Sequence, residues 1–387
     1  MLGLNASQLL ELARRKTGLN DFGDTGFLPG FEKLIDALEH EAHLSDRGRP
    51  AVQERMVRLL ANRLRFQADL SRHPEILDEP LAPPVVIISL PRAGSTKLHR
   101  LLAQSDDFQK LLFWQGYNPA PFPGAVQGLP DPRIEDAMRF LAWRSSTNAA
   151  ADAAHHMEAT APEEEMYLLE FSFGIYWPIA YYNVPGYIDW LKTSDPNDVY
   201  RYLRQLLQYL QWQFCRGGSK PWILKAPPNL GYEAYIAANF PGAKFLVLHR
   251  DPLEVIPSVG ALARETRKLY SADAKYSRQA SWALEQFSGA MNRHLDWRGR
   301  VRDVPILDIA YRDIHRRDMD VVRAVYGFLG MRLSQHAEAA MRKWSEQNAQ
   351  HKHGVHEYSL EESGLSAVQI QESFARYARE FAEYLAT

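Results

Sequence analysis

Arg92, Ser95 and Thr96 follow an apolar run within residues 84–97, PVVIISLPRAGSTK. A cation and two hydroxyls at a strand-to-helix turn suit an anion, because turn amides and the helix N-terminus point at one spot. Gly94 lets the backbone approach that anion closely. An ordinary βα turn with an exposed arginine would carry the same letters. Set against the ATP-binding pattern G-x-x-x-x-G-K-[ST], Ser89 takes the first glycine, Gly94 the second, Ser95 the lysine and Thr96 the magnesium-binding hydroxyl. Lys97 comes one residue late, and a helical step of roughly 100° turns it away from the loop. A nucleotide or small-molecule kinase is disfavoured accordingly.

A second anion pattern lies in residues 244–259, KFLVLHRDPLEVIPSV, where Arg250 ends an apolar run and Ser258 follows eight positions later. A helix beginning near Leu253 or Glu254 would hold Pro257 in its first turn and Ser258 at its start. An arginine plus a hydroxyl there suits a phosphate monoester; a surface Arg250–Asp251 pair with a capping serine is the alternative. A third group is titratable: residues 155–170, HHMEATAPEEEMYLLE, bring His155, His156 and Glu164 together. Pro162 and three glutamates also describe an ordinary acidic first helical turn. Metal binding by the two histidines is disfavoured, since adjacent helical residues do not face one site.

These groups need a scaffold, and the apolar periodicity supplies one. Short runs at 85–90, 222–225, 244–249 and 304–309 read as strands, and helices are predicted after each of them. That alternation predicts a central parallel sheet with right-handed crossovers, a three-layer α/β fold. Residues 1–80 form a helical extension, and 81–387 the main domain. Within that domain, 113–220 is an aromatic-rich, mostly helical insertion; rings at this density are more often core than site, and any that line a pocket would suit a small apolar or aromatic partner with a hydroxyl.

Lys and Arg number 45 against 47 acids, so no global field draws nucleic acid or an anionic membrane. The single cysteine, Cys215, leaves no internal disulfide and fits a reducing, cytoplasmic setting. No segment reaches the ~20 apolar residues of a membrane span.

Together the two anion motifs resemble the sulfotransferases that use 3′-phosphoadenosine-5′-phosphosulfate (PAPS). PRAGSTKLHRLL is similar to their 5′-phosphosulfate loop, and the Arg250–Ser258 interval to their 3′-phosphate motif. The resemblance implies a P-loop NTPase-like fold and transfer of a sulfuryl group to a hydroxyl, less readily an amine, without a metal. It implies a catalytic role for Arg92 and co-substrate contacts along Arg92, Ala93, Gly94, Ser95, Thr96 and Lys97. Ala93 replaces the family's usual hydroxyl residue. WILKAP resembles the strand whose lysine touches the transferring group, which makes Lys225 a candidate. The histidine base of the aryl and steroid branch falls here on Pro227; the resemblance to bacterial members, in which an acid two residues after a proline recurs before an apolar helix, implies Glu164 as the base, with His156 or His155 as substitutes. Residues 350–365, QHKHGVHEYSLEESGL, are similar to the late loop over the 3′-phosphate, and point to Lys352, His353 and Gly354. A protein that binds such a nucleotide without turnover is the remaining alternative.

Overall fold

The computed structural model describes residues 3–124, 129–176, 178–271, 273, 275–348 and 359–386. Lys352, His353 and Gly354 lie outside the described residues.

Three helices come first, α1 (Ala6–Thr17), α2 (Leu28–His40) and α3 (Gly48–Arg72). The predicted strands follow, β1 (Val85–Ser89), β2 (Ile223–Lys225), β3 (Lys244–His249) and β4 (Ile306–Ala310). All pair in parallel, in the order β2-β1-β3-β4, with Ser89 beside Leu248 and Ile87 beside Lys225. Burial on both faces explains the continuous apolar character of β1 and of Phe245–Leu248 in β3, whereas the edge strand β4 carries Asp308 and is only partly buried over Ile306–Asp308. Val86, Ile88, Phe245 and Val247 point into one core, and Val85, Ile87, Leu246 and Leu248 into another. Helices cover each core, which gives the three layers.

The helix after β1, α4 (Ser95–Leu102), buries Leu98, Leu101 and Leu102 in the smaller core together with Val322 and Val325 of the helix Asp318–Leu329. After β3 come α5 (Pro252–Lys268) and α6 (Tyr276–Arg298), which pack on each other. The insertion is helical, from Phe113–Tyr117 to Asn197–Phe214. α1–α3 share the larger core with it: the Phe31 and Phe173 rings lie 5.0 Å apart. Gly48 approaches so closely that a Cβ there would fall 1.9 Å from the Tyr270 carbonyl oxygen. No helix among the described residues is long and apolar enough to cross a membrane.

Strand ends shift from the sequence expectation by one or two residues, β4 running Ile306–Ala310, and the start of α5 shifts as well. Asp251 caps α5 by accepting from the Leu253 amide, with Pro252 in the first position. The Asp-Pro pair therefore starts the helix earlier than the apolar pattern suggests. Pro257 lies inside the helix, without an N–H for the carbonyl four residues back, and Ser258 is well into the second turn.

Candidate active site

The sheet order makes the site. β1 and β3 are neighbours, yet the chain leaves β1 towards β2 and β3 towards β4, so a crevice opens beyond their C-terminal ends. The Arg92 turn stands on one side of it and Arg250 on the other.

The turn after β1 is held in an uncommon backbone shape: Arg92 has φ 65° and Gly94 φ 82°. Gly94 is required twice over. Its φ disfavours any side chain, and a Cβ would lie 2.9 Å from Ile314 Cγ2. Arg92 takes the same left-handed region without being glycine, which marks stored strain at this point. Ala93 is buried against the smaller core, so only its backbone is offered to the turn. Ser95 opens α4, with Gly94 as its cap.

The two anion motifs are bonded to each other. Arg92 Nε donates to Ser258 Oγ at 3.3 Å, and Arg250 Nη1 donates to the Arg92 carbonyl at 2.5 Å. Arg250 also holds Glu254 through Nε at 2.9 Å and Nη2 at 2.7 Å, and its guanidinium lies 3.9 Å from the Tyr311 ring centroid. Ser258 reaches the cradle from the second turn of α5, where its side chain faces Arg92. Lys97 lines the same cavity as the loop residues and pairs with Asp318 at 3.0 Å.

Lys225 ends β2 beside this turn. Its Nζ donates to Thr96 Oγ1 at 3.2 Å and forms a buried ion pair with Glu164. The three glutamates are not an exposed first helical turn: residues 162–165 precede the short helix Met166–Leu169, and Glu163, Glu164 and Glu165 are all buried. The bridge between Pro162 and Leu112 holds the segment beside the start of the helix Phe113–Tyr117, and each acid has a different partner. Glu163 meets His155 Nε2 at 3.5 Å and Arg100 Nη2 at 3.6 Å. Burial alone would raise its carboxyl, but His155, Lys225 and Arg100 outweigh that and hold it well below the usual range. Glu165 accepts from the Lys225 amide at 2.7 Å and from Asn229 Nδ2 at 2.6 Å. There burial prevails and pushes its carboxyl up to about 7. Burial, then the Lys225 charge, presses the His99 imidazole down to about 3.

His155 and His156 part company. His155 faces Glu163 and lines the central cavity, whereas the His156 ring turns to Asp152 at 3.3 Å and Glu158 at 3.8 Å and is not part of that lining. His155, Glu163 and Glu164 each bring a ligand atom within 4.8 Å of the others. Arg100 and Lys225 already supply the positive charge those carboxylates need.

The cavity between the turns has a volume of about 660 Å3. Arg92, Gly94, Ser95, Thr96, Arg250 and Ser258 line it together with Glu164, so the sequence-predicted cradle and the acid share one space. Sequence reading missed Glu163, Glu165, His99 and Arg100. The run of three glutamates was the available signal, since an extended segment sends successive side chains to different sides.

Glu165 has a measurable consequence. The folded state keeps its proton up to about pH 7, whereas the unfolded chain gives it up near 4.5, so this group costs stability as pH rises between those values and no more above them. Thermal unfolding from pH 4.5 to 8 checks this: relative to wild type, Glu165→Gln is expected to gain steadily up to about pH 7 and then level off. A constant offset across the range would refute it.

A sequence model of the sulfotransferase family matches residues 83–335. The fold is similar to that of a sulfotransferase from Mycobacterium avium, with 27% identity, TM-score 0.86, and coverage of 98% of this chain and 97% of that one. It is similar also to a sulfotransferase from Mycobacterium tuberculosis, with 27% identity, TM-score 0.79, and coverage of 96% and 98%. No curated protein matches the sequence at a significant level.

Proposed function

Because the chain belongs to the sulfotransferase family, we propose that it transfers the sulfuryl group of PAPS to the hydroxyl of a small, largely apolar acceptor. One observation carries this reading: the bonded pair of anion motifs and the Thr96–Lys225–Glu164 chain face the same cavity.

In this reading Arg250 and Ser258 take the 3′-phosphate, while the turn amides, Ser95 and Thr96 hold the phosphosulfate. Arginine and a hydroxyl together suit a terminal phosphate. The aromatic lining at Tyr311 and Trp344 offers surface to the purine. An acceptor oxygen attacks sulfur in line, forming a new S–O bond, and Glu164 takes the hydroxyl proton. The S–O bond to the 5′-phosphate breaks, and its electron pair stays on the departing 3′,5′-bisphosphoadenosine. Arg92 and Lys225 offset the charge that grows there. Sulfuryl transfer asks for positioning and electrostatics more than for covalent help, as phosphoryl transfer does. Lys352, His353 and Gly354 extend the proposal to the 3′-phosphate, and a cytoplasmic setting rests on the lone Cys215.

Equilibrium titration tests the donor. 3′,5′-Bisphosphoadenosine is expected to bind about tenfold or more tighter than 5′-AMP, the worth of a charged hydrogen bond to the extra phosphate. ATP binding more tightly than the bisphosphate would sink the proposal.

A further inference from the structure

One helix joins the cradle to the rest of the cavity. α5 gives Ser258 to the cradle, then Val259, Leu262, Ala263 and Thr266 to the cavity wall. Those last four recur at i, i+3, i+4 and i+7, so they form a single stripe. At 1.5 Å of rise per residue the stripe carries the wall roughly 12 Å from Ser258. Met157 and Met166 add unbranched thioethers to the lining, side chains that adapt to an apolar shape. Ala153, Ala180 and Ala263 leave the space open.

Charge on this side is matched. Arg144 Nη1 lies 2.8 Å from Asp152, Arg100 meets Glu163, and Lys225 is bonded to Glu164. An ionic tail would find each of these cations already compensated, and would lose its hydration on entry.

From the stripe and these paired charges, we infer that the acceptor is an elongated, uncharged alcohol whose hydroxyl meets Glu164 and whose apolar chain lies along the α5 stripe, with Ala263 setting the room for it. The inference rests on the sulfuryl-transfer reading above. Chain length then becomes the quantity the enzyme measures, since each methylene brought out of water along the stripe adds to transition-state binding.

The test uses straight-chain 1-alkanols from butanol to decanol with labelled PAPS. kcat/KM is expected to rise about fourfold per methylene until the slot fills. Ala263→Leu is expected to lower the decanol-to-butanol ratio by about tenfold or more, through overpacking of the wall. Leu262→Ala, which opens the same wall, is expected to shift the optimum to longer chains. Titration with 3′,5′-bisphosphoadenosine reports that each variant is folded. A flat series in wild type overturns the inference, as does a ratio unmoved in both folded variants or a preference for ω-hydroxy acids over alkanols. Transfer to a short phenol without transfer to any alkanol overturns the inference and leaves sulfuryl transfer standing. No transfer to any acceptor, with the bisphosphate unbound, removes both.

Discussion

Glu164→Gln is expected to lower kcat by about a hundredfold to ten-thousandfold, the usual worth of a positioned general base. Glutamine keeps the shape and can still accept from Lys225, but it cannot take the acceptor's proton. The substitution carries a structural risk. Glu164 and Lys225 are both buried, and removing one charge strands the other at a cost of roughly 3–5 kcal/mol. Adding Lys225→Met removes the stranded charge, so the double variant is expected to regain thermal stability without regaining turnover. Single-turnover transfer from labelled PAPS, beside a melting curve, separates the two effects. A double variant that turns over at the wild-type rate would show that the proton goes elsewhere, with His155, across the same cavity, the next group to test.

Arg92→Gly should separate stability from activity in the opposite direction. The guanidinium is expected to be worth about a hundredfold to a thousandfold in kcat as charge develops on the leaving phosphate. Its backbone, at φ 65°, costs about 1–2 kcal/mol that glycine would not incur. Glycine returns roughly half of that through the freer unfolded chain. The variant should therefore melt no lower than wild type while losing turnover, whereas Arg92→Ala loses turnover and keeps the strain. An Arg92→Gly protein that melts well below wild type would mean that the contact with Ser258 outweighs the strain.

Much of the frame was legible before any coordinates. Lys244–His249 and Asp318–Leu329 are uninterrupted or periodic apolar patterns with clear stops, and they fold as they read. The start of α5 was misplaced because Asp251-Pro252 is a capping signal stronger than the hydrophobic period behind it. At the site, the residue types were readable and their partnerships were not. Lys225 meets Glu164 across 61 residues and Arg250 meets the Arg92 carbonyl across 158, so neither contact has a local signature. Glu165 shows the same limit in its charge: adjacent glutamates look alike as letters and are all buried, and only the cations beside Glu163 hold that one down while burial pushes Glu165 up.

The hydrogen bond from Arg250 to the Arg92 carbonyl ties the shape of the strained turn to the side chain proposed to hold the 3′-phosphate. In the proposed reading, a donor that engages Arg250 thereby also sets Arg92, the arginine assigned to the charge on the leaving phosphate. The enzyme would then recognise its donor in the rate of the step as well as in the tightness of the hold, and a nucleotide lacking the 3′-phosphate would be a slow donor even when forced to saturation.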